Sequence, residues 1–261
     1  MVKGLNLFRD WFVQYSGQYV LIGGTAASLT MQNAGLAFRA TKDLDIVLHI
    51  EALTPAFGAA FWRFIEAGQY AIRQANDTGK PVFYRFQKPA DASFPSMIEL
   101  FARAPDGLVL APGAQLAPIP MGDAVASLSA ILLDDAYYEF IHSTRREENG
   151  LSWVSEECLI PLKAVAWLDL SERKAQGASV DGKDIRKHLN DVLRLSQLLS
   201  PETRVSLHPK ISSDLRRFLG HVRSNAAISP KDLQLGDVSV AELASRIARA
   251  FDLEFQDRVL D

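Results

Sequence analysis

Two aspartates one residue apart, in Asp43-Leu44-Asp45, open an apolar run that continues to residue 50. On a strand, residues two apart share a face. Both carboxylates can then hold one hard cation, and Mg²⁺ takes such oxygens together with the phosphates of a substrate. Two acids this close repel each other unless a cation lies between them. Upstream, Gly23-Gly24-Thr25 separates an apolar run from a helix-like segment. Paired glycines let the backbone turn tightly and let a phosphate approach the main chain. The helix N-terminus that follows offers N–H groups and a positive dipole end, and Thr25 adds a hydroxyl. A third acid, Glu99, stands in Met97-Ile98-Glu99-Leu100-Phe101. An unpaired charge is costly among such neighbours, so Glu99 is placed to be a third carboxylate, either metal ligand or general base. Each feature alone also has a plain structural reading: a tight turn, two solvated acids on an edge strand, and an outward-facing strand residue.

The elements that must position these residues follow from periodicity. Residues 5–16 carry Leu5, Phe8 and Phe12 on one helical face. Residues 18–22 form a short buried strand, and Gly23-Gly24 ends it. Thr25 is expected as the N-cap of a helix over residues 26–32, with Gly35 at its C-terminal stop. Residues 44–50 form a strand with Asp43 at its mouth. A helix over residues 55–69 shows Phe57, Phe61, Phe64 and Ile65 as its apolar stripe. Strands are expected at 82–86 and 96–102, with weaker ones at 108–111 and 117–121. Beyond residue 121 the pattern turns helical: 123–133, 156–174, 181–199, and further helices within 201–226 and 239–256. The fold class is therefore α+β: a mixed sheet flanked by helices over residues 1–121, then a helical domain over 122–261, with the seam near Gly122.

The composition narrows the function classes. Hydrophobic residues make up 48% and charged residues 23%, which is enough apolar material for a sizeable core. The net charge is −3, and neither half of the chain carries the positive excess that broad nucleic-acid binding needs. A local basic patch, and with it a nucleic-acid substrate, stays open. The single cysteine, Cys158, cannot form an internal disulfide, which points to a reducing compartment. Lys3, Arg9 and Asp10 occupy the place of a signal peptide's apolar run. No apolar stretch reaches the length of about 20 residues that spans a bilayer. A cytoplasmic protein without a membrane partner is expected.

The order of Gly-Gly-Thr turn, short helix, paired-acid strand and later acid resembles the nucleotidyltransferase superfamily with the polymerase-beta-like fold. The resemblance implies a turn that holds a triphosphate and three acids that hold two metal ions. In two-metal phosphoryl transfer one ion activates the attacking oxygen, and both neutralise charge at phosphorus. The run Phe38-Arg39-Ala40-Thr41-Lys42-Asp43-Leu44-Asp45 is similar to the Arg-x-Thr/Ser-x-Asp-Leu-Asp motif of the AbiEii/AbiGii toxin family. Leu162-Lys163-Ala164, and then Asp181-Gly182-Lys183-Asp184-Ile185, are similar to that family's later signatures. The likeness spans residues 18–199.

The resemblance implies roles by position. Gly23, Gly24, Thr25, Arg39, Lys163 and Lys183 would bind the nucleotide. Asp43, Asp45 and Glu99 would hold Mg²⁺, and Asp184 would complete the catalytic set from the helical domain. Arg39, Lys42, Lys183, Arg186, Lys187 and His188 would suit a positive rim, or else an ordinary solvated helix face. The implied activity is transfer of a nucleoside monophosphate from an NTP to an acceptor hydroxyl. The implied setting is a type IV toxin–antitoxin or abortive-infection system, with RNA or tRNA as acceptor and a cognate antitoxin as partner. Two alternatives remain: transfer to a small-molecule or protein hydroxyl, and a nucleotide-binding module without catalysis.

Overall fold

A computed structural model of the protein describes residues 2–72, 84–101, 134–225 and 228–253. The expected strands at 108–111 and 117–121, the helix at 123–133 and the seam at Gly122 lie outside these residues. The fold is α+β, and the chain divides into two units, Met1–Ser155 and Glu156–Asp261.

In the first unit, seven strands among the described residues form one mixed sheet in the order β3-β4-β5-β2-β1-β7-β6. The strands are β1 (Tyr19–Ile22), β2 (Asp43–Leu48), β3 (Ala71–Ile72), β4 (Tyr84–Gln87), β5 (Met97–Phe101), β6 (Arg145–Glu148) and β7 (Leu151–Val154). The helices are α1 (Leu5–Phe12), α2 (Gly23–Asn33), α3 (Pro55–Ala67) and α4 (Asp135–Ser143). Antiparallel β1 and β2 form the centre, and β5 runs parallel to β2.

Over β1, β2 and β5 one sheet face is apolar. Tyr19 meets Phe8 and Phe12 of α1, and Phe86 meets Phe61 and Trp62 of α3. The register Tyr19↔Leu48, Leu21↔Ile46, Leu44↔Ile98 and Phe86↔Ile98 puts Leu44, Ile46 and Leu48 on that same face. α1 buries Leu5, Phe8 and Phe12 at helical spacing. α3 starts on Thr54, whose side chain accepts from the Phe57 N–H, with Pro55 in its first turn. Each fully buried Phe here contributes about 1.5–3 kcal/mol through area removed from water. Asp43 and Asp45 alternate with this set and so face the other way.

The hairpin β6–β7 was not expected, because the segment after residue 121 reads as helical. Its turn is Asn149-Gly150, both with positive φ (51° and 75°). That is the two-residue turn whose twist suits a hairpin. β7 pairs in parallel with β1 through Leu21↔Trp153, so the hairpin belongs to the sheet and the first unit extends to Ser155.

The second unit is helical among its described residues: α5 (Glu156–Ala175), α6 (Gly182–Leu195), α7 (Pro209–Ser224) and α8 (Val240–Ala250). Asp181 caps α6, accepting from the Lys183 N–H. Ser239 and Glu242 form a reciprocal capping box at the start of α8. Cys158 is buried in α5 as a small core residue. No helix among the described residues is long and apolar enough to cross a membrane.

A histidine pair sits at the far end of β2. The ring of His49 stacks on His142 of α4, with centroids 4.4 Å apart. Among the described residues, neither ring nitrogen of His142 has a hydrogen-bond partner, and the neighbouring Tyr138 hydroxyl donates to Glu51 at 2.8 Å. Burial, reinforced by the facing His49, pushes His142 down to about 4 from its usual 6.5. The unfolded chain therefore binds this proton more tightly than the folded one. The stability contributed by neutral His142 is full above pH about 6.5 and is lost as the pH falls towards about 4. Urea titrations across that window should show falling stability, and His142→Phe should flatten the slope. An unchanged slope in that variant would place the proton elsewhere.

Candidate functional site

All four residues of β1 are buried, and the strand passes directly into α2 at Gly23. Gly23 has φ +66°, a left-handed conformation that bends the chain from strand to helix in one residue. The helix thus begins earlier than expected. Ile22 occupies the N-cap position, and no side chain caps the helix. Thr25 is not the N-cap but lies inside the first turn. It is fully buried, and its hydroxyl donates to the Asp43 carbonyl at 2.6 Å. Its side chain is a clamp between α2 and the mouth of β2.

The same turn presses on the acid strand. A β-carbon on Gly23 would collide with the Asp45 carboxylate. A β-carbon on Gly24 would lie 2.7 Å from the Thr41 hydroxyl and 3.5 Å from the Arg39 guanidinium. Both glycines are therefore required by close approach, and Gly23 by φ as well. Arg39, Thr41, Asp43 and Asp45 alternate along the chain, and the first two come back over Gly24 while Asp45 meets Gly23. The Arg39 guanidinium also lies 5.4 Å from the centre of the Phe38 ring. Gly23, Gly24, Arg39, Asp43 and Asp45 are thus gathered around the N-terminus of an 11-residue helix. A phosphate is favoured in such a place by main-chain N–H groups and by the positive end of the dipole.

Glu99 joins this group through the sheet. The register pairs Asp45 with Glu99 across the parallel β2–β5 ladder. Neighbouring strands lie about 4.8 Å apart, so Asp43, Asp45 and Glu99 form a row on the face opposite the aromatic core. Glu99 is 9% exposed. Its charge is answered by Arg85 of β4, which stands opposite it in the antiparallel β4–β5 register. The Arg85 Nε–H donates to Oε1 of Glu99 at 2.7 Å, and Nη2 pairs with the same oxygen. Arg85 did not emerge from the sequence. The alternation Tyr84-Arg85-Phe86-Gln87 marks it as polar-face, but only the register reveals its partner.

Among the described residues, no group of three or more His, Cys, Asp or Glu side chains is gathered to hold a metal ion. A Mg²⁺ ion bound to substrate phosphates needs only one or two carboxylates. Asp43 and Asp45 supply that number of carboxylates, and Glu99 is paired with Arg85.

In the second unit, Lys163 of α5 is 5% exposed and Asp191 of α6 is fully buried. They meet at 2.8 Å. Asp191 is a residue that motif reading passed over. Its signal is an acid set within the apolar stripe of Leu189, Val192, Leu193 and Leu195. Lys183 is exposed and Asp184 half-buried in the first turn of α6. Asp184 lies two helical turns from Asp191, about 10 Å along the axis.

These contacts generate two expectations. Gly35 has φ +72° with open space around its missing side chain. Gly23→Ala and Gly35→Ala should each lose about 1–2 kcal/mol of stability to the left-handed backbone. If Asp45 holds a divalent cation, only Gly23→Ala should also weaken its binding, because it displaces Asp45; equal cation affinities of the two variants by calorimetry would contradict that role. Lys163→Met strips the buried Asp191 of its ammonium partner, and should cost about 3–5 kcal/mol in urea unfolding, with most of it restored by adding Asp191→Leu. The chain matches no protein-family model, and no curated protein is significantly similar to it in sequence.

Proposed function

We propose that this protein is a Mg²⁺-dependent nucleotidyltransferase that moves a nucleoside monophosphate from an NTP to an acceptor hydroxyl and releases pyrophosphate. The observation that carries the reading is the contact between the Gly23-Gly24 turn and the acid strand. It brings a helix N-terminus, a guanidinium and two carboxylates to one place. A triphosphate with its cation asks for that combination of charges.

In this reading Asp43 and Asp45 hold Mg²⁺, which when bound polarises the phosphoryl oxygens and offsets charge developing at phosphorus. The glycine turn admits the phosphates to the main chain at the start of α2. Arg39 neutralises phosphate charge beside Gly24. Thr25 acts through Asp43: its hydrogen bond to the Asp43 carbonyl fixes where the acid row begins. Lys163, Lys183 and Asp184 enter as triphosphate-binding and catalytic residues through the family resemblance alone. The same resemblance supports a toxin-like role with RNA or tRNA as acceptor and a cognate antitoxin as partner. The even charge balance of the chain favours a small-molecule or protein hydroxyl instead.

Incubation with labelled NTPs, Mg²⁺ and total RNA separates these acceptors. Label in RNA establishes the first, and label in a small product or in protein the second. Asp45→Asn keeps the shape beside Gly23 but removes the charge, and should lower transfer by at least about a hundredfold. Its melting curve should match the wild type. Full activity in Asp45→Asn would refute the acid-pair assignment, and tight NTP binding without turnover on any acceptor would leave a binding module.

A further inference from the structure

The outer face of α8 carries polar side chains that the transferase reading does not use. Leu243, Ala244, Ile247 and Ala248 are buried on the inner face of the helix. Glu242, Ser245, Arg246 and Arg249 recur at helical spacing on the other side. Such a face is ordinarily only solvated. Here it is walled in. The chain that follows α6 runs past it, and residues 197–201 and α8 enclose a groove of about 750 Å³. That volume suits a metabolite-sized molecule. Every lining residue belongs to the second unit.

The wall facing α8 is fixed by its own hydrogen bonds. The Ser200 N–H donates to the Thr203 hydroxyl at 3.1 Å, and the Arg204 guanidinium donates to the Pro201 and Thr203 carbonyls at 2.9 and 2.7 Å. The Val205 N–H donates to the Ala250 carbonyl at the end of α8, at 2.8 Å. Leu199, buried, anchors the wall in the core. The groove is therefore preformed, which keeps the ordering cost of binding small.

Charge is distributed unevenly along it. Glu242 lies at one end, with Oε2 accepting from the Ser239 N–H and from the Ser239 hydroxyl, each at 2.7 Å. Arg249 lies at the other end, about 10 Å further along the helix axis. Arg246 is half-buried between them, and its Nη1 donates to the Ser196 carbonyl at 3.4 Å. Its Nε and Nη2 remain for another acceptor. Among the described residues, the Arg249 guanidinium and the Ser245 hydroxyl have no hydrogen-bond or ion-pair partner. Two guanidiniums and a hydroxyl thus line one end of the groove. A guanidinium is a planar fork of donors that matches phosphate oxygens, and charge-assisted bonds of this kind are strong. A carboxylate would bring two oxygens and one charge. A phosphate monoester brings three oxygens and nearly two charges, which suits three donor groups with two positive charges.

We infer that this groove binds a small molecule carrying a phosphate monoester, with the phosphate on Ser245, Arg246 and Arg249. The rest of the molecule lies along Ala241 and Leu198 towards Glu242. The inference goes beyond the transferase reading and does not rest on it, since it uses no residue of the glycine turn or the acid strand.

The test uses the whole chain without nucleotide or divalent cation, so that phosphate held through a metal ion does not report. Phenyl phosphate, inorganic phosphate and phenylacetate are titrated separately at pH about 7.5, where the monoester carries nearly two charges. Nuclear magnetic resonance follows the Nε–H signals of Arg246 and Arg249 and the main-chain amides of residues 197–201 and 241–249. Phenyl phosphate should shift these signals saturably and bind at least about tenfold more tightly than phenylacetate. Inorganic phosphate should shift the two arginines more weakly, having no body to fill the groove. Arg246→Gln and Arg249→Gln should each weaken phenyl phosphate by at least about tenfold, because each removes a charged donor. Arg216→Gln, at an exposed position on α7, should leave its affinity within about twofold, as expected for a screened surface charge. Absence of a saturable shift in the groove would overturn the inference. So would equal affinity for phenylacetate or for inorganic phosphate, or undiminished binding in folded Arg249→Gln. The wild-type titrations alone decide the matter if the variants fold poorly, and every outcome leaves the transferase reading to its own labelling experiment.

Discussion

The pairing of β1 with β2 is the constraint on which everything else depends. The register sets Ile22, the last residue of β1, opposite Asp45. Because β1 ends there, the glycine turn falls beside the carboxylate, and the first turn of α2 rises next to the mouth of β2. The Thr25 hydroxyl locks this arrangement by donating to the Asp43 carbonyl. A slip of one residue would turn Asp43 and Asp45 into the aromatic core and Leu44 and Ile46 out of it. The apolar face opposes that slip with the burial of Tyr19, Leu21, Leu44, Ile46 and Leu48. The energy that fixes the site thus comes mostly from the side of the sheet that does no chemistry.

The face that carries the acids is divided along its length. Val20, Val47 and Phe101 are buried towards one end, while Asp43, Asp45, Glu99 and Arg85 lie towards the other. Carboxylates packed in a row would repel each other. Arg85 relieves this at the Glu99 end, and the glycine turn with Arg39 does so at the Asp45 end. The row is therefore held between positive groups on both flanks. In the proposed transferase, this preorganisation would serve electrostatic stabilisation of a phosphoryl group.

What the sequence disclosed, and what it hid, follows from the range of the interactions. Alternation along β2 and β5 revealed which residues share a face, since that is a property of neighbours in the chain. It located Asp43, Asp45 and Glu99, and helical periodicity located the apolar stripes of α1 and α3. The pairing of β2 with β5 and of β4 with β5 is not local, so the partner of Glu99 stayed hidden although Arg85 is only 14 residues away. Asp191 stayed hidden for the same reason, 28 residues from Lys163. Thr25 misled because a threonine after two glycines suits an N-cap, whereas the left-handed Gly23 lets the helix start at once and turns Thr25 inward. The β6–β7 hairpin had a local signal in Asn149-Gly150, but its charged first strand, Arg145-Arg146-Glu147-Glu148, lacks the apolar alternation that marks a strand.

The buried pair in the second unit limits what Lys163 can do. A lysine that left Asp191 to reach a phosphate would abandon a fully buried carboxylate, and that penalty is comparable to the attraction a phosphate would offer in return. The ammonium has three donors, so it can serve a ligand while keeping Asp191 only if the pair acts together. Asp191 then sets the direction of the Lys163 ammonium and maintains its charge against burial. In that case the functional unit in α5 and α6 is Lys163 with Asp191, and a substitution of either residue reports on both. A loss of activity in a Lys163 variant would identify a phosphate contact only where the charge-free double variant, with its stability restored, remained inactive.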